Sequence, residues 1–193
     1  MKKRTTIRIS AFLLCLCCAF FTSCKEDDGK GYVFGYDISS NPGSLDPQYA
    51  SDRESYLIIG SVFEGLFRIG ADGNAEKAMA ESYTVSDDGL TYNFKLKQDR
   101  YWTDVNGYNK KVTAADFVFG FRRLFLPETR APKASEYFCI KNSDKINSGE
   151  ITDLSQLGVT AQGDYSLTIE LQYTEPSFAM LLAMPAAMPC NEE

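Results

Sequence analysis

The amino-terminal segment sets the first limit on what this chain can fold into, because it has the pattern of an export signal and not of a domain. Residues 2–8 carry basic side chains and no acid, and residues 9–21 are uncharged and mostly apolar. A helix that crosses a membrane needs about 20 apolar residues, so this run is too short. It matches the apolar core of a signal peptide. We therefore expect residues 1–23 to be a signal peptide and the fold to begin after them.

Two small residues, Thr22 and Ser23, separate the apolar run from Cys24. This arrangement resembles a lipobox, in which the chain is cut before a cysteine that has received diacylglycerol, although Phe21 stands where lipoboxes usually have Leu. We expect lipid on Cys24 and a polar, flexible tether over residues 24–31. The lipid alone would then anchor the protein, on the outer face of the cell membrane or in the periplasm. An ordinary signal peptide with an incidental cysteine, and an uncleaved anchor, are the alternatives.

The composition of the remaining chain argues against several classes of function. The net charge of the whole chain is −6 although residues 1–23 contribute only positive side chains, so the rest is strongly acidic. Because binding to nucleic acid requires concentrated Lys and Arg, we expect no nucleic-acid partner. The chain has no histidine, which removes His-based catalytic triads and the commonest zinc ligand. We expect no enzyme activity, no cofactor and no metal. Cys139 and Cys190 remain after the tether, and a disulfide or two separate thiols fit them equally.

Beyond the tether, strand patterns alternate with helix patterns, which predicts an α/β class with α+β character. Two pairs of short alternating segments, each pair separated by turn residues, predict β-hairpins over residues 83–97 and 158–171. Thr113, followed three residues later by Asp116, is a helix-start signal, and apolar residues at helical spacing come after it.

Three further elements follow from local patterns. Residues 32–36 are aromatic and β-branched, which predicts a first strand, and a short apolar helix is expected over residues 177–184. A helix is also predicted over residues 55–67. That helix rests on apolar residues that would share one face: Tyr56, Ile59, Phe63 and Leu66.

The residues that could carry chemistry have simpler structural interpretations. Residues 72–76 have the acid spacing of the start of a calcium loop, but the later positions do not fit, so we interpret them as a turn. The acids at 87–88 precede a glycine and belong to the turn of a hairpin. The arginines at 122–123 are interpreted as a solvated helix end and not as a phosphate site. Trp102 could stack on a ligand, but we assign it to the core.

The order of several short segments resembles the peptide-binding (family 5) solute-binding proteins of ABC importers, in their oligopeptide-binding branch. The resemblance covers residues 32–188. The segments that carry it are SLDP at 44–47, FEGLF at 63–67, AESY at 80–83, DGLTYNFKL at 88–96, WTD at 102–104 and VTAADFV at 112–118, followed by Arg123 and the residues 127–129.

The resemblance implies a class II periplasmic-binding-protein fold with two lobes and an extra small domain. Residues 32–62 would begin the first lobe, and residues 63–193 would form the small additional domain. Members of this family are much longer, so we expect the chain to be an amino-terminal fragment that lacks the carboxyl-terminal lobe.

The resemblance also implies ligand contacts. The family's peptide-contacting segment falls on Ser51, Asp52 and Arg53, and its small-domain contact falls on Lys133. The family often has an acid at the position of Ser51 and an aromatic residue at that of Lys133, so solvated loop residues are the alternative.

A protein of this kind would hold a peptide between its lobes and pass it to the permease subunits of an importer. Two other functions stay open at this point. The same fold could bind another solute, such as an oligosaccharide, a metal chelate or a signalling peptide. A surface lipoprotein could instead act as an adhesin or interaction module.

Overall fold

The structure, a computed structural model, describes residues 35–104 and 106–192. The predicted signal peptide, Cys24 and the tether lie outside the described residues, as does most of the strand predicted over residues 32–36. Gly35 and Tyr36, the part of that prediction that is described, are not in a strand. Residues Ile38–Glu193 form one structural unit.

The largest element is a four-stranded antiparallel sheet. Its strands are β3 (Ala80–Val85), β4 (Thr91–Leu96), β7 (Val159–Ala161) and β8 (Ser166–Glu170), in the order β3-β4-β8-β7. The two hairpins predicted from the sequence are therefore confirmed. They join into one sheet because β4 pairs with β8, with Phe94 opposite Leu167.

Local chemistry explains the turn between β3 and β4. Asp88 accepts hydrogen bonds at Oδ1 from the Ser86 hydroxyl and from the amide of Leu90, the latter at 3.0 Å. Gly89 adopts a positive φ of 73°, which a glycine tolerates without steric cost. After this turn, Phe94 and Leu96 point into the core while Asn93 and Lys95 are exposed, as the alternation predicts.

Two smaller antiparallel pairs flank the sheet. The strands β1 (Phe67–Ile69) and β2 (Ala75–Lys77) pair across a turn at residues 71–74, and β5 (Tyr101–Thr103) pairs with β6 (Asn109–Lys111).

The second long helix of the unit, α2 (Ala114–Phe125), starts where the sequence predicts. The amide of Thr113 donates to Asp116 Oδ2 at 2.7 Å, which forms the capping box. The face that it buries carries the apolar residues of the predicted stripe: Phe117, Phe121, Leu124 and Phe125.

The first helix, α1 (Arg53–Val62), corrects the prediction of a helix over residues 55–67. It begins two residues earlier because Asp52 caps it: Asp52 Oδ1 accepts from the amide of Ser55 at 2.8 Å. It ends at Val62 because Phe63 is extended and the chain turns through Gly65 into β1. A Cβ on Gly65 would lie 2.9 Å from the carbonyl oxygen of Leu182, so only glycine fits this close approach.

Short helices complete the unit. They are α3 (Ser143–Asn147), α4 (Phe178–Leu181) and the 3₁₀ turns Ala134–Tyr137, Leu154–Gln156 and Pro185–Ala187. The first of the two α-helices was not predicted, and α4 lies within the apolar helix predicted over residues 177–184. The turn Pro185–Ala187 packs against both α1 and α2.

The buried apolar residues form two separate groups. The main core lies between the sheet, α2 and α4 and includes Phe94, Phe121 and Phe178. The small core contains Ala50 and Ile59 from the α1 segment together with Met188, and Tyr56 and Phe63 pack against it. The α1 segment therefore packs in part against a residue from much later in the chain, Met188.

No helix within the described ranges is long and apolar enough to cross a membrane.

Candidate functional site

Three of the predicted contact residues lie together at the amino-terminal end of α1. Ser51 and Arg53 are exposed, and the Arg53 side chain makes no hydrogen bond or ion pair to another described residue. The Asp52 carboxylate is occupied by structural bonds: beyond capping Ser55, it accepts from the Ser55 hydroxyl at 2.7 Å and from the amide of Gly43 at 3.1 Å. These hydrogen bonds, led by that from the Ser55 amide, lower the pKa of Asp52 below its ordinary value. Asp52 therefore has a structural role as the cap of α1, and ligand contact at Ser51, Asp52 and Arg53 stays a prediction.

Lys133, the fourth predicted contact, lies immediately before the 3₁₀ turn Ala134–Tyr137. Its ammonium group donates to Glu136 Oε1 at 2.6 Å, and this hydrogen bond and the charge of Glu136 raise the pKa of Lys133. About a third of the Lys133 side chain is exposed. The cation is therefore accessible but partly neutralised by a neighbour on the same turn.

Tyr56 relates the two predicted contact segments to each other. Partial burial is the main cause that raises the pKa of the Tyr56 hydroxyl. The charge of Lys133 opposes this shift, and the charges of Glu136 and Asp52 add to it. The Tyr56 hydroxyl is therefore influenced by charges from both predicted contact segments, Asp52 at the start of α1 and Lys133.

Arg123 corrects the interpretation of residues 122–123 as a solvated helix end. Its guanidinium group binds both carboxylate oxygens of Asp46, with Nη1 at 2.7 Å from Oδ1, and also donates to Gln48 Oε1 at 2.7 Å. The charge and hydrogen bonds of Asp46 raise the pKa of Arg123 above its already high value. Burial by itself would raise the pKa of Asp46, but the hydrogen bond and charge of Arg123 outweigh it and the pKa is lowered.

Gln48 extends this contact into a polar cluster, which we define as Asp46, Gln48, Arg123 and Cys190. The Gln48 amide is fully buried and its Nε2 donates to the carbonyl oxygens of Ala186 and Met188, at 3.3 and 3.2 Å. The Cys190 thiol donates to Gln48 Oε1 at 2.8 Å. The polar cluster therefore binds together the segment before α1, the end of α2 and residues 186–190.

An apolar recess of about 490 Å³ lies between α1, β1 and residues 183–188. Phe63 lines it together with Tyr56, Ile69 and Met188, and Glu64 and Arg68 stand among its walls.

Trp102 is half-buried against the main core and meets Phe63 edge-on, with ring centroids 6.0 Å apart. The assignment of Trp102 to the core is thus confirmed. Its indole Nε1 is buried and has no hydrogen-bond partner among the described residues.

The other residues considered from the sequence are structural. Asp72 accepts from the amide of Asn74 at 3.0 Å, as in an ordinary turn. Within the described residues, no three acids or cysteines are grouped as metal ligands would be. Cys139 and Cys190 are both free thiols, which settles the open alternative against a disulfide. Burial raises the pKa of Cys139 to about 11, so its thiol is unreactive near neutral pH.

Comparison with known proteins decides the family. The model of the bacterial extracellular solute-binding proteins, family 5 (middle region), matches residues 74–193, which is more than half of the chain. The chain belongs to this family. The resemblance drawn from the six short segments is therefore confirmed, including at the level of fold.

Curated relatives agree over almost the whole chain. It is 34% identical to the dipeptide-binding protein of Lactococcus lactis over an alignment of 189 residues. This alignment covers 98% of this chain and 32% of the relative. It is 33% identical over 201 residues to the oligopeptide-binding protein OppA of Bacillus subtilis, which covers 100% of this chain and 36% of that protein. The chain thus spans about a third of the length of these relatives.

Solved structures show the same fold. Listeria monocytogenes OppA bound to peptide matches with a TM-score of 0.75 and 33% identity, over 80% of this chain and 30% of that one. The substrate-binding domain of an oligopeptide ABC transporter from Bacillus anthracis matches with a TM-score of 0.72 and 40% identity, over 77% of this chain and 28% of that one.

The polar cluster is the part of the site that sequence reasoning missed. Asp46 belongs to one of the segments that carry the family resemblance, and Arg123 follows another. Both are positions that carry the family resemblance, but nothing local indicates that residues 77 positions apart bind each other.

Proposed function

We propose that this chain is part of an extracytoplasmic lipoprotein that captures peptides and delivers them to an ABC importer. The observation that carries the proposal is the agreement in fold and sequence with Listeria monocytogenes OppA bound to peptide. The names of the Lactococcus and Bacillus relatives, which refer to dipeptide and oligopeptide binding, support the same ligand class. The protein acts by binding and not by catalysis.

The proposed organisation assigns residues 1–23 to a signal peptide, 24–31 to a lipidated tether, 32–62 to the start of the first lobe and 63–193 to the small additional domain. The small core supports a modification of this division. Met188 packs with Ala50 and Ile59, so the end of the described chain returns to the segment proposed for the first lobe.

The chemistry of capture follows from the shape of an extended peptide. Its backbone amides and carbonyls must be hydrogen-bonded once they leave water, as when a strand is added to a sheet edge. Ligand favours the closed form because only that form contacts the peptide from both sides. Ser51, Asp52, Arg53 and Lys133 are proposed to supply contacts from the side that this chain provides.

Lys133 offers the sharpest test of those contacts. A hydrogen bond to a charged group contributes about 1.5–3 kcal/mol when it is desolvated, and each 1.4 kcal/mol is tenfold in affinity. Lys133→Ala should therefore weaken peptide binding by about tenfold or more if closure buries Lys133. Lys141→Ala is the matched control, because Lys141 also pairs with a glutamate at 2.6 Å and is half exposed. Equal peptide affinities for wild type and both variants would mean that Lys133 is a solvated loop residue that does not contact ligand.

A second solute class deserves the same experiment. The probable deoxycholate-binding periplasmic protein YgiS of Escherichia coli is 35% identical over 160 residues, which covers 81% of this chain and 29% of that protein. An amphipathic steroid acid is therefore the specific alternative to a peptide.

The small molecule that co-purifies with the exported protein distinguishes a peptide-binding protein from a steroid-binding one. The exported protein is purified from the cells that make it, denatured in acid, and the released small molecules are identified by mass spectrometry. Peptides are expected in amounts that approach the protein concentration. A bile acid or other steroid in place of peptides would mean that the protein binds a steroid acid and not peptides.

Lipid attachment is tested on the same material. Labelled palmitate should be incorporated into the wild type and not into Cys24→Ala. Equal labelling of both would remove the proposed lipid anchor while leaving peptide capture untouched.

A further inference from the structure

The segments proposed to contact ligand are each attached to a member of the polar cluster. Asp46 opens the turn that leads into Ser51–Arg53, since its carbonyl oxygen accepts from the amides of Tyr49 and Ala50, both at 3.0 Å. Arg123 lies in the last turn of α2, and the chain then passes through the turn at residues 126–130 to Lys133. The two contact segments have no regular secondary structure that joins them directly.

The geometry of the cluster is suited to fixing one segment against the other. Arg123 makes a two-pronged contact with the Asp46 carboxylate, which defines an orientation as well as a distance. Gln48 accepts from Arg123 and Cys190 and donates to two backbone carbonyls, so each of its polar atoms is used. The aromatic ring of Tyr49 lies 5.6 Å from the guanidinium carbon of Arg123 and covers it from one side.

Apolar packing alone would hold the α1 segment less firmly. The buried members of its small core are Ala50, Ile59 and Met188; Pro47 is also buried, whereas Leu45 and Tyr49 stay exposed. A buried amide and a paired charge have strict partner requirements, so they select one arrangement among several that packing would tolerate.

We propose that Arg123 is a positioning residue for ligand capture, which sets the amino terminus of α1 at a fixed distance and orientation from Lys133 through Asp46 and Gln48. The proposal rests on the proposed function for its consequence in binding, but its structural content can be measured without a ligand. Arg123 does not itself contact ligand. It holds in register two segments that do, so that the ligand does not have to order them when it binds.

Two measurements test the proposal on the exported protein. The first places nitroxide labels, carried by unnatural amino acids, at positions 51 and 133 and records their distance distribution by pulsed electron resonance without ligand. The distribution should be narrow in the wild-type background and broad in Arg123→Gln. Arg123→Lys, which keeps the charge but loses the two-pronged contact, should give an intermediate width, and it serves as the readout if Arg123→Gln does not fold.

The second measurement is peptide affinity by calorimetry on the unlabelled variants. Arg123→Gln and Asp46→Asn should each weaken binding by about tenfold or more, because the ligand must then order the contact segments itself. Arg122→Gln is the matched control: it is the neighbouring arginine on α2 and makes no contact with Asp46, so it should stay within about twofold of wild type. Ile146→Val, a change in the main core, should lower thermal stability without lowering affinity.

An unchanged distance distribution in a folded Arg123→Gln variant would overturn the proposal. So would a loss of affinity in Ile146→Val that matches the loss in Arg123→Gln at the same loss of thermal stability, since general destabilisation would then account for both. Failure of the proposed function has a different signature: wild-type protein that binds no peptide while the distance distribution still responds to Arg123.

Discussion

The sheet region and the α1 region of this molecule are held together by different forces. In the sheet region, which we define as residues 78–182, large apolar side chains such as Phe94, Phe121 and Phe178 interlock between the sheet and its helices. In the α1 region, residues 43–62, the buried apolar residues are the small side chains Pro47 and Ala50 together with Ile59, and Met188, which packs with Ala50 and Ile59, comes from outside the region. Here the charge of Asp46 and the amide of Gln48 make the connections.

The difference shows which contacts each region depends on for its position. A region with a large apolar core opens only with most of the molecule, whereas one with few buried contacts can move at lower cost. Elements that respond to ligands are drawn from the less stable parts of proteins. The α1 region has few buried apolar contacts of its own, so its position depends on the polar cluster, and Leu57 and Val62 leave its outer face apolar and exposed.

The largest expected effect separates the two regions by their cores. Phe121→Ala should lower the free energy of unfolding by about 3–5 kcal/mol, because it leaves a cavity where the wild-type ring is 1% exposed. Leu57→Ala on the outer face of α1 should change it by less than about 0.5 kcal/mol. Urea unfolding followed by circular dichroism measures both. Similar losses for the two variants would erase the distinction between the regions.

The second effect is on the ion pair that connects them. Asp46→Asn should cost about 1–3 kcal/mol near neutral pH, because it removes the charge that Arg123 binds and leaves the guanidinium group partly buried without its counter-ion. This is smaller than the cavity effect because the Asp46 and Arg123 side chains are 31% and 26% exposed.

The same variant predicts a dependence on pH. The pKa of Asp46 in the folded protein is lowered, whereas an unfolded aspartate has a pKa of about 3.9. The contribution of the ion pair is therefore fully present above about pH 4 and is lost as pH falls through the lowered pKa of the folded state. The stability difference between wild type and Asp46→Asn should shrink in that acid range. A difference that stays constant from neutral pH down to strongly acid solution would mean that the carboxylate charge is not what the variant removes.

The third effect concerns the helix that closes the main core. Thr113→Ala removes the hydroxyl that donates to Asp116 Oδ2 at 3.0 Å at the start of α2, and should cost about 1 kcal/mol. The exposed Thr152 gives the control, since its side chain makes no hydrogen bond to another described residue and Thr152→Ala should be neutral within about 0.5 kcal/mol. If both threonine variants unfold at the wild-type urea concentration, the capping box adds nothing to the stability of the sheet region.

The sheet region was predictable because its signals are local. Alternation over residues 91–96 and the turn chemistry of Asp88 and Gly89 specify a hairpin without help from distant contacts. The capping signal of Thr113 and Asp116 located the start of α2 for the same reason. What alternation could not give is the pairing of β4 with β8, because the partners come from hairpins far apart in the sequence.

The α1 region was predicted less well because its structure depends on distant residues. Phe63 and Leu66 continue the helical spacing of α1, yet the helix ends at Val62 because Leu66 enters the main core and Gly65 must approach Leu182. Arg123 has the local features of a solvated helix end, and only the folded chain brings Asp46 to it. The proposed contact residues Ser51, Asp52, Arg53 and Lys133 come from family resemblance, and no local pattern in the sequence indicates them.

Titration of the exported protein with a mixture of short peptides tests the central claim most directly. The protein is first freed of bound ligand by partial unfolding and refolding, and its fold is checked by circular dichroism. Calorimetry should then give a saturable isotherm with a dissociation constant in the micromolar range or below, and the Lys133→Ala isotherm should be weaker. A folded, ligand-free protein that releases no heat with any peptide in the mixture would contradict peptide capture.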